Sequence, residues 1–476
     1  MPALFSFRDP AGVLVPLDGR LLRLVSSHGV PDLRAFLASS VASEWMASGR
    51  VVITRTLAAD AAQALWRDER IQPLLERIRP ELILEHTPLD FPSYPYEWPA
   101  EMLHAAAELT LELAMALLAS GLGLKDATPY NVLFRGPDPV FVDVLSVEQR
   151  DPRDPLWRAY AQFVRTFLLP LAVWKRFGLA PGEVLLARRD GLEPEDLYGW
   201  LGWRRLLPPW LSLVTMPVVL GARRRDDLSI YRPRRLREPE QARFVLGALF
   251  RSLKRTLRKL APPPRRSAWT AYAETRTHYS EEQAQAKDRF VSSALEEFRP
   301  RRVLDIGANV GRFSAMAARR GASVVAIDCD AAVVGQTWRM ACRDRLDILP
   351  LVVNLARPTP AVGWRNAECL SFLDRARGRF DLVLMLALVH HLVVTERIPL
   401  EEIVSLAAEF TTDLAVIEFV APQDPMFQRI ARGREHLHRD LIPQEFESAC
   451  RARFAILRSE TLPGSFRTLY LLRRSG

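Results

Sequence analysis

The chain has 476 residues, 49% hydrophobic and 25% charged, so it is long enough for two or three domains and is neither disordered nor fibrous. Its four cysteines form no Cys-x-x-Cys pair, and the N-terminus lacks a basic start followed by an apolar stretch. This pattern argues against a disulfide framework, a structural zinc site and a secretory signal, and predicts a cytoplasmic protein. The net charge of +9 arises in residues 223–266, which carry fifteen Lys/Arg against four Asp/Glu and leave −2 elsewhere.

In the first half, a long apolar helix is predicted over residues 101–120, followed by a loop and a strand over residues 139–143. The loop contains Asp126 and, five residues later, Asn131, and the strand ends in Asp143. This spacing predicts that three oxygen ligands meet in one cleft, and such oxygens, together with phosphates, bind Mg²⁺.

This order resembles the catalytic loop and metal-binding strand of protein-kinase-like phosphotransferases. The resemblance implies an α+β kinase-like domain in which Asp126 orients an acceptor hydroxyl, while Asn131 and Asp143 hold Mg²⁺ with ATP. The chain departs from the family pattern because it has no G-x-G-x-x-G loop, and the nearest strand cation upstream is Arg55. Val144 also stands where the family has Phe. An active kinase and a kinase-shaped binding domain both remain open.

An apolar run over residues 206–222 is 17 residues long and contains three prolines. That length is the lower limit for a membrane span, and the prolines would leave backbone groups unsatisfied in lipid. We therefore expect this run to form buried core of the first domain, with a peripheral membrane contact as the alternative.

The basic segment 223–266 is expected to connect two domains, 1–222 and 267–476, because Pro262, Pro263 and Pro264 interrupt regular structure. Charge runs usually form solvated linkers, which is our reading of this connector. Within it, an amphipathic helix is predicted from apolar residues at helical spacing: Phe244, Leu249, Leu253, Leu257 and Leu260. This helix is expected to pack on a domain, and peripheral membrane contact through the connector is the alternative.

The last 200 residues begin with a helix predicted over residues 281–298. Tyr279, just before it, and Lys287, within it, are candidates to cover a ligand, and plain surface positions are the alternative. Residues 302–311 then form a short buried strand that runs into a turn containing Gly307 and Gly311. A helix and a second strand ending in Asp328 follow. This order is typical of the nucleotide-binding half of a doubly wound, Rossmann-like sheet, in which the terminal acid binds ribose hydroxyls.

The segment Leu304-Asp-Ile-Gly-Ala-Asn-Val-Gly311 resembles the first motif of class I S-adenosylmethionine-dependent methyltransferases. An acid ahead of the first glycine would repel a pyrophosphate but suits a cationic ligand. The resemblance implies a set of cofactor-binding residues: Asp305, Gly307, Asn309, Gly311, Asp328 and Asn354.

His390 and His391 follow the predicted fourth strand, at the edge where a methyl acceptor would lie, and one of them is a candidate base. Glu418, at the end of the fifth strand, and the loop over residues 422–425 could also face the acceptor. We therefore expect a methyltransferase acting on a hydroxyl- or amine-bearing metabolite or glycan. The alternative is a scaffold with two idle folds. A nucleic-acid methyltransferase is disfavoured because the positive charge lies in the connector.

Overall fold

The computed structural model describes residues 9–222, 235–264, 280–438 and 440–475. Three parts of the sequence predictions lie outside them: Tyr279 and the connector stretches 223–234 and 265–266. The chain forms two compact units. The first comprises Met1–Pro263 with Val362–Cys369, and the second comprises Pro264–Ala361 with Leu370–Gly476.

Four antiparallel strands open the first unit: β1 (Gly12–Leu17), β2 (Arg20–Val25), β3 (Thr54–Thr56) and β4 (Leu82–His86). They pair in the order β1-β2-β4-β3. Asp18 and Gly19 join β1 to β2 with positive φ angles of 49° and 75°, as a two-residue hairpin turn of this twist requires. Alternating apolar residues such as Leu22 and Leu24 then face a core shared with Leu75.

The remaining strands of this unit are short: β5 (Leu122–Leu124), β6 (Val132–Arg135), β7 (Asp138–Phe141) and β8 (Val147–Gln149). Its helices are α1 (Val30–Leu37), α2 (Ser40–Ala47), α3 (Ala59–Trp66), α4 (Gln72–Ile78), α5 (Ala100–Ala119), α6 (Tyr160–Phe163), α7 (Leu169–Phe177), α8 (Pro181–Ala187), α9 (Pro194–Trp200), α10 (Met216–Ala222) and α11 (Pro239–Leu260). A small antiparallel sheet, a long core helix and paired short strands after it give the first unit the α+β architecture predicted from the sequence.

Helix α5 is long and apolar enough to cross a membrane, judged by length and composition, yet 61% of its most apolar window is buried inside the protein. Met102, Leu103 and Leu113 are among its fully buried side chains. A core helix has this same composition, and α5 supplies the surface on which other helices of the unit pack.

The expectation that the connector's amphipathic helix packs on a domain is confirmed, so the solvated-linker interpretation does not hold over α11. Helix α11 packs on α5, and the imidazole Nε2 of His104 lies 3.0 Å from the carbonyl oxygen of Leu257. Its buried stripe is Ala242, Leu246, Phe250, Leu253, Leu257 and Leu260. Phe244, which the sequence predicts on the buried side of this helix, is instead exposed. The stripe stabilises the helix by burial against α5, so this part of the connector belongs to the first unit.

The expectation that residues 206–222 are buried core is also wrong in part. Trp210, Leu213 and Val214 are buried, but Leu206 and Leu220 are exposed. Because the run folds as short helical pieces, one side packs inward while the other side faces solvent.

The strands of the second unit are β9 (Arg302–Ile306), β10 (Ser323–Asp328), β11 (Ile348–Val352), β12 (Phe380–Met385), β13 (Thr411–Val420), β14 (Phe454–Thr461) and β15 (Arg467–Arg474). They form one seven-stranded sheet in the order β11-β10-β9-β12-β13-β15-β14. The first five strands are parallel, and β15 runs antiparallel to both of its neighbours.

The helices of this unit are α12 (Glu281–Phe298), α13 (Arg312–Ala318), α14 (Ala331–Asp344), α15 (Phe372–Ala376), α16 (Val389–Val394), α17 (Leu400–Phe410), α18 (Pro425–Ala431) and α19 (Pro443–Arg451). Fully buried strand residues such as Val303, Leu384 and Val416 form its core with Phe290 of α12. The strand order reverses between β9 and β12, and ligands of doubly wound sheets bind at the carboxyl ends of the strands beside such a point.

Candidate functional site

A cavity of about 640 Å³ opens at the carboxyl ends of β9, β10, β11 and β12. Its wall combines the glycine-containing turn after β9 with the terminal residues Asp328 and Asn354 of the next two strands. His390 and His391 complete the opposite side. The cavity therefore brings together most of the site residues predicted from the sequence.

The turn after β9 curls back on the sheet. The backbone N–H of Gly307 donates to the carbonyl of Ile327 at 2.9 Å, and Gly307, Asn309 and Gly311 all have positive φ angles. Gly307 lines the cavity, whereas Gly311 lies behind its wall. A Cβ at Gly311 would come within 2.6 Å of the side chain of Thr337 on α14. Glycine at 311 thus serves helix packing, and its role in cofactor binding, which the resemblance implies, stays a prediction.

Asp328 is held in place by the loop that it faces. The backbone N–H of Asn309 donates to its Oδ2 at 3.0 Å, and the N–H of Asp330 donates to its Oδ1 at 3.0 Å. Burial raises the pKa of Asp328, although these two N–H groups oppose the shift. Each carboxylate oxygen keeps a second lone pair directed at other donors, as recognition of a ribose diol requires.

Asp305 lies at the base of the cavity and is 2% exposed. Burial raises its pKa to about 6, while a 2.6 Å hydrogen bond from the hydroxyl of Ser314 stabilises the charged form. A buried carboxylate of this kind favours a cationic group in the adjoining cavity.

Two asparagines add polar groups to the same wall. The amide oxygen of Asn354 accepts from the backbone N–H of Ala356 at 2.9 Å, which fixes its side chain at the end of β11. The amide oxygen of Asn309 is buried and has no hydrogen-bond partner among the described residues. A buried acceptor without a donor is costly, so this oxygen fits a donor supplied by a bound ligand.

His390 and His391 lie in the first turn of α16, with ring centroids 4.3 Å apart. Burial lowers the pKa of both rings, and the shift is larger for His390, which also faces His391 and Arg467. Both imidazoles are therefore neutral near pH 7. His391 is the less buried ring and keeps more basicity, so it is the better placed of the two to accept a proton from a bound acceptor.

Four buried charges of alternating sign lie beside this pair. Lys287 of α12 donates to Glu418 at 2.5 Å, and Arg467 reaches the other oxygen of Glu418 at 3.5 Å. Arg467 also forms two bonds of 2.7 and 3.1 Å to Asp424. Burial alone would raise the pKa of Asp424, but Arg467 holds it below its ordinary value. Lys287 lines the cavity, so its ion pair with Glu418 fixes a charged ammonium group at the edge of the cavity.

Arg467 was missed by sequence reasoning. Arg467 is the first residue of β15, where it pairs with Val420 of β13. The available signal was an arginine at the start of an otherwise apolar strand. Its burial becomes understandable only with Glu418 and Asp424 beside it.

In the first unit, the three predicted residues also come together. The amide of Asn131 donates to the hydroxyl of Ser146 at 3.0 Å, and that hydroxyl donates to Asp143. Asp126 is half-buried, and its pKa is raised by burial and by the nearby charge of Asp143. The described residues contain no cluster of three His, Cys, Asp or Glu suited to a metal ion. The predicted set offers two carboxylates and one amide.

Arg23 of β2 is the cation that sequence reasoning did not find. Its guanidinium donates to Asp143 at 2.7 Å and is almost fully buried. Burial would raise the pKa of Asp143, but Arg23 and the Ser146 hydroxyl hold it below its ordinary value. Arg55, the strand cation considered before, has an exposed side chain on β3. The signal for Arg23 was a lone charge at an apolar position of a strand.

Comparisons with known proteins concern both units. A family model for a methyltransferase domain matches residues 304–407. The nodulation protein NoeA of Rhizobium meliloti (strain 1021) is 31% identical over 481 residues, which cover 99% of this chain and 95% of that protein.

Solved structures with similar parts include the bifunctional kinase-methyltransferase WbdD, with 20% identity, a TM-score of 0.29 and coverage of 40% of this chain and 39% of that chain. The N-methyltransferase NodS from Bradyrhizobium japonicum WM9 has 11% identity, a TM-score of 0.31 and coverage of 41% and 99%, respectively. The family match runs from β9 to α17 and includes the glycine turn, Asp328, Asn354 and both histidines of the cavity.

Proposed function

This chain belongs to the family of the nodulation protein NoeA and is an S-adenosylmethionine-dependent methyltransferase, and we propose that it methylates a hydroxyl or amine of a small metabolite or glycan. The observation that carries the proposal is the cavity at the strand reversal, where two buried carboxylates and two neutral histidines face the same space. We also propose that the protein acts in the cytoplasm, where its four cysteines would stay free thiols.

The residues present fit the methyl donor. Asp305 would hold its ammonium group, Asp328 its ribose hydroxyls and Asn354 would lie near the adenine, while the unpaired amide oxygen of Asn309 would accept a donor. When bound, S-adenosylmethionine supplies a methyl group already activated on a sulfonium. The chain's own contribution is then to position the two reactants in line and to exclude water.

Proton removal from the acceptor would fall to His391. A hydroxyl or ammonium acceptor must lose a proton during methylation, and a neutral imidazole at the cavity wall can take it. The buried charges beside the histidines have no net charge together, so they can orient a polar acceptor without repelling the cationic donor. They are Lys287, Glu418, Arg467 and Asp424.

Replacing Asp328 tests the donor site. Asp328→Ala removes the acceptor of two charge-assisted hydrogen bonds, each worth about 1.5–3 kcal/mol, so donor affinity measured by calorimetry should fall at least a hundredfold. The exposed Asp347→Ala variant is the matched control and should bind as the wild type does. Unchanged affinity in Asp328→Ala, or binding of NADH in place of S-adenosylmethionine, would contradict the assignment.

For the first unit, we propose a Mg²⁺-ATP site at Asp126, Asn131 and Asp143, with Arg23 as the cation that faces the phosphates. Support comes from the hydrogen-bonded chain through Ser146 and from the ion pair of Arg23 with Asp143. Asp143 and Asn131 would hold Mg²⁺ through their oxygens, and the guanidinium of Arg23, which is paired with Asp143, would face the phosphates.

The test is thermal unfolding of the full chain. ATP with Mg²⁺ should raise a melting temperature by mass action on the folded state, and Asp143→Ala should abolish the rise. Asp126→Asn should keep the rise and stop any phosphoryl transfer, since Asp126 is assigned to the acceptor. A wild-type protein that shows no shift at millimolar ATP would refute this site while leaving the methyltransferase assignment intact.

A further inference from the structure

The helical segment from α9 to α10 has an apolar side that the protein does not cover. Trp200 and Trp203 are each 65% exposed and Leu206 is 60% exposed, although side chains of this size are normally buried. Leu207, Met216 and Leu220 are also exposed. We call these six residues the apolar face.

The opposite side of the same segment is anchored in the first unit. Leu201, Trp210 and Val214 are buried, and the ring of Trp210 lies 6.4 Å from that of Phe177 on α7. The hydroxyl of Thr215 donates to the carbonyl of Arg205 at 2.6 Å and holds two helical turns together. A surface segment held this way should present polar residues to water, but this one presents tryptophan and leucine.

Between Leu197 and Ala222, the stretch that carries the apolar face, the charged residues are all basic, while Glu195 and Asp196 lie in the first turn of α9. Arg204 and Arg205 interrupt the apolar face, and their guanidinium groups lie over the rings of Trp203 and Tyr198. In the sequence, Arg223, Arg224 and Arg225 follow α10 directly, and no Asp or Glu occurs from Leu197 to Arg225. Leucine and tryptophan together with arginine, without acids, are typical of elements that lie in the interface of an anionic bilayer.

We propose that the apolar face docks the first unit onto a lipid bilayer surface that carries anionic headgroups. Tryptophan rings and leucines would insert at the boundary of headgroups and acyl chains, while Arg204 and Arg205 would pair with lipid phosphates. The charge complementarity selects this occupant over a second copy of the chain, because a symmetric contact would place the two arginine sets against each other.

The test is co-sedimentation of the full chain with vesicles of equimolar phosphatidylglycerol and phosphatidylcholine, and with vesicles of phosphatidylcholine alone. The wild type should bind the anionic vesicles, and binding should fall with added salt. Trp200→Ser with Trp203→Ser should lose most of the binding. Arg204→Gln with Arg205→Gln should lower the partition coefficient roughly thirtyfold, or about fivefold for each arginine.

Matched controls distinguish vesicle binding through the apolar face from non-specific binding through charges or exposed aromatic side chains elsewhere. Trp66→Ser removes an exposed tryptophan of α3, and Arg251→Gln with Arg255→Gln removes two exposed charges from α11. Both should bind as the wild type does, and every variant should keep its melting temperature. Absent binding of the wild type to anionic vesicles would overturn the proposal. So would equal losses in the controls, or a dimer in sedimentation velocity that Trp200→Ser with Trp203→Ser abolishes.

Discussion

Asp305 makes the donor site sensitive to pH. Burial raises its pKa to about 6, so the carboxylate is protonated below that pH and can no longer attract the ammonium of the donor. We expect the affinity for S-adenosylmethionine, measured by calorimetry, to fall by up to tenfold per pH unit as the pH drops below about 6.

The folding stability of the protein without the donor changes with pH in the opposite direction. Because the folded pKa of Asp305 lies above the ordinary value of 3.8, this group destabilises the fold as the pH rises through that window.

Ser314 provides the matched perturbation of Asp305. Its hydroxyl donates to the charged carboxylate at 2.6 Å, so Ser314→Ala should raise the pKa further and move the midpoint of the affinity profile to higher pH. The exposed Ser459→Ala variant should leave the midpoint unchanged. A midpoint that does not respond to Ser314→Ala would assign the pH dependence to another group.

At the scale of elements, α11 gives a sharp test of which helix face is buried. Phe250 is buried, and its ring packs edge-on against Trp157 at 5.1 Å, whereas Phe244 of the same helix is 72% exposed. Phe250→Ala should lower the free energy of unfolding by about 3–5 kcal/mol because it leaves a cavity.

The same substitution at Phe244 should change the free energy of unfolding by less than about 0.5 kcal/mol, as expected for an exposed position. Denaturant unfolding of both variants measures the difference. Similar losses at the two positions would mean that α11 does not pack on α5 through the stripe seen in the structure.

At the scale of the molecule, part of the connector's basic charge lies on a folded surface, whereas the sequence predicts a solvated linker. Within α11, exposed Arg251 and Arg255 lie on the surface of the first unit, and Lys254 pairs with Glu112 at 3.4 Å. These charges are therefore fixed to a folded surface. Helical periodicity indicated an amphipathic helix correctly, but it could not identify α5 as the partner that covers its apolar stripe.

The amino-acid sequence by itself determined the features that contiguous residues encode. It predicted the helix over residues 281–298 at the bounds that the structure shows, the start of β9 at Arg302 and the end of β10 at Asp328. It also predicted the methyltransferase fold, because a strand, a glycine turn, a helix and a terminal acid all lie within 30 residues of chain.

Tertiary structure alone decided the features that depend on distant partners. Arg23 meets Asp143 across 120 positions, and Arg467 meets Asp424 across 43. Gly311 is required by Thr337, a residue of the next helix along the chain. The exposure of Trp200 and Trp203 likewise depends on what packs beside them. A sequence pattern specifies which side chains are apolar or charged, but burial and pairing depend on contacts between segments that only the folded chain brings together.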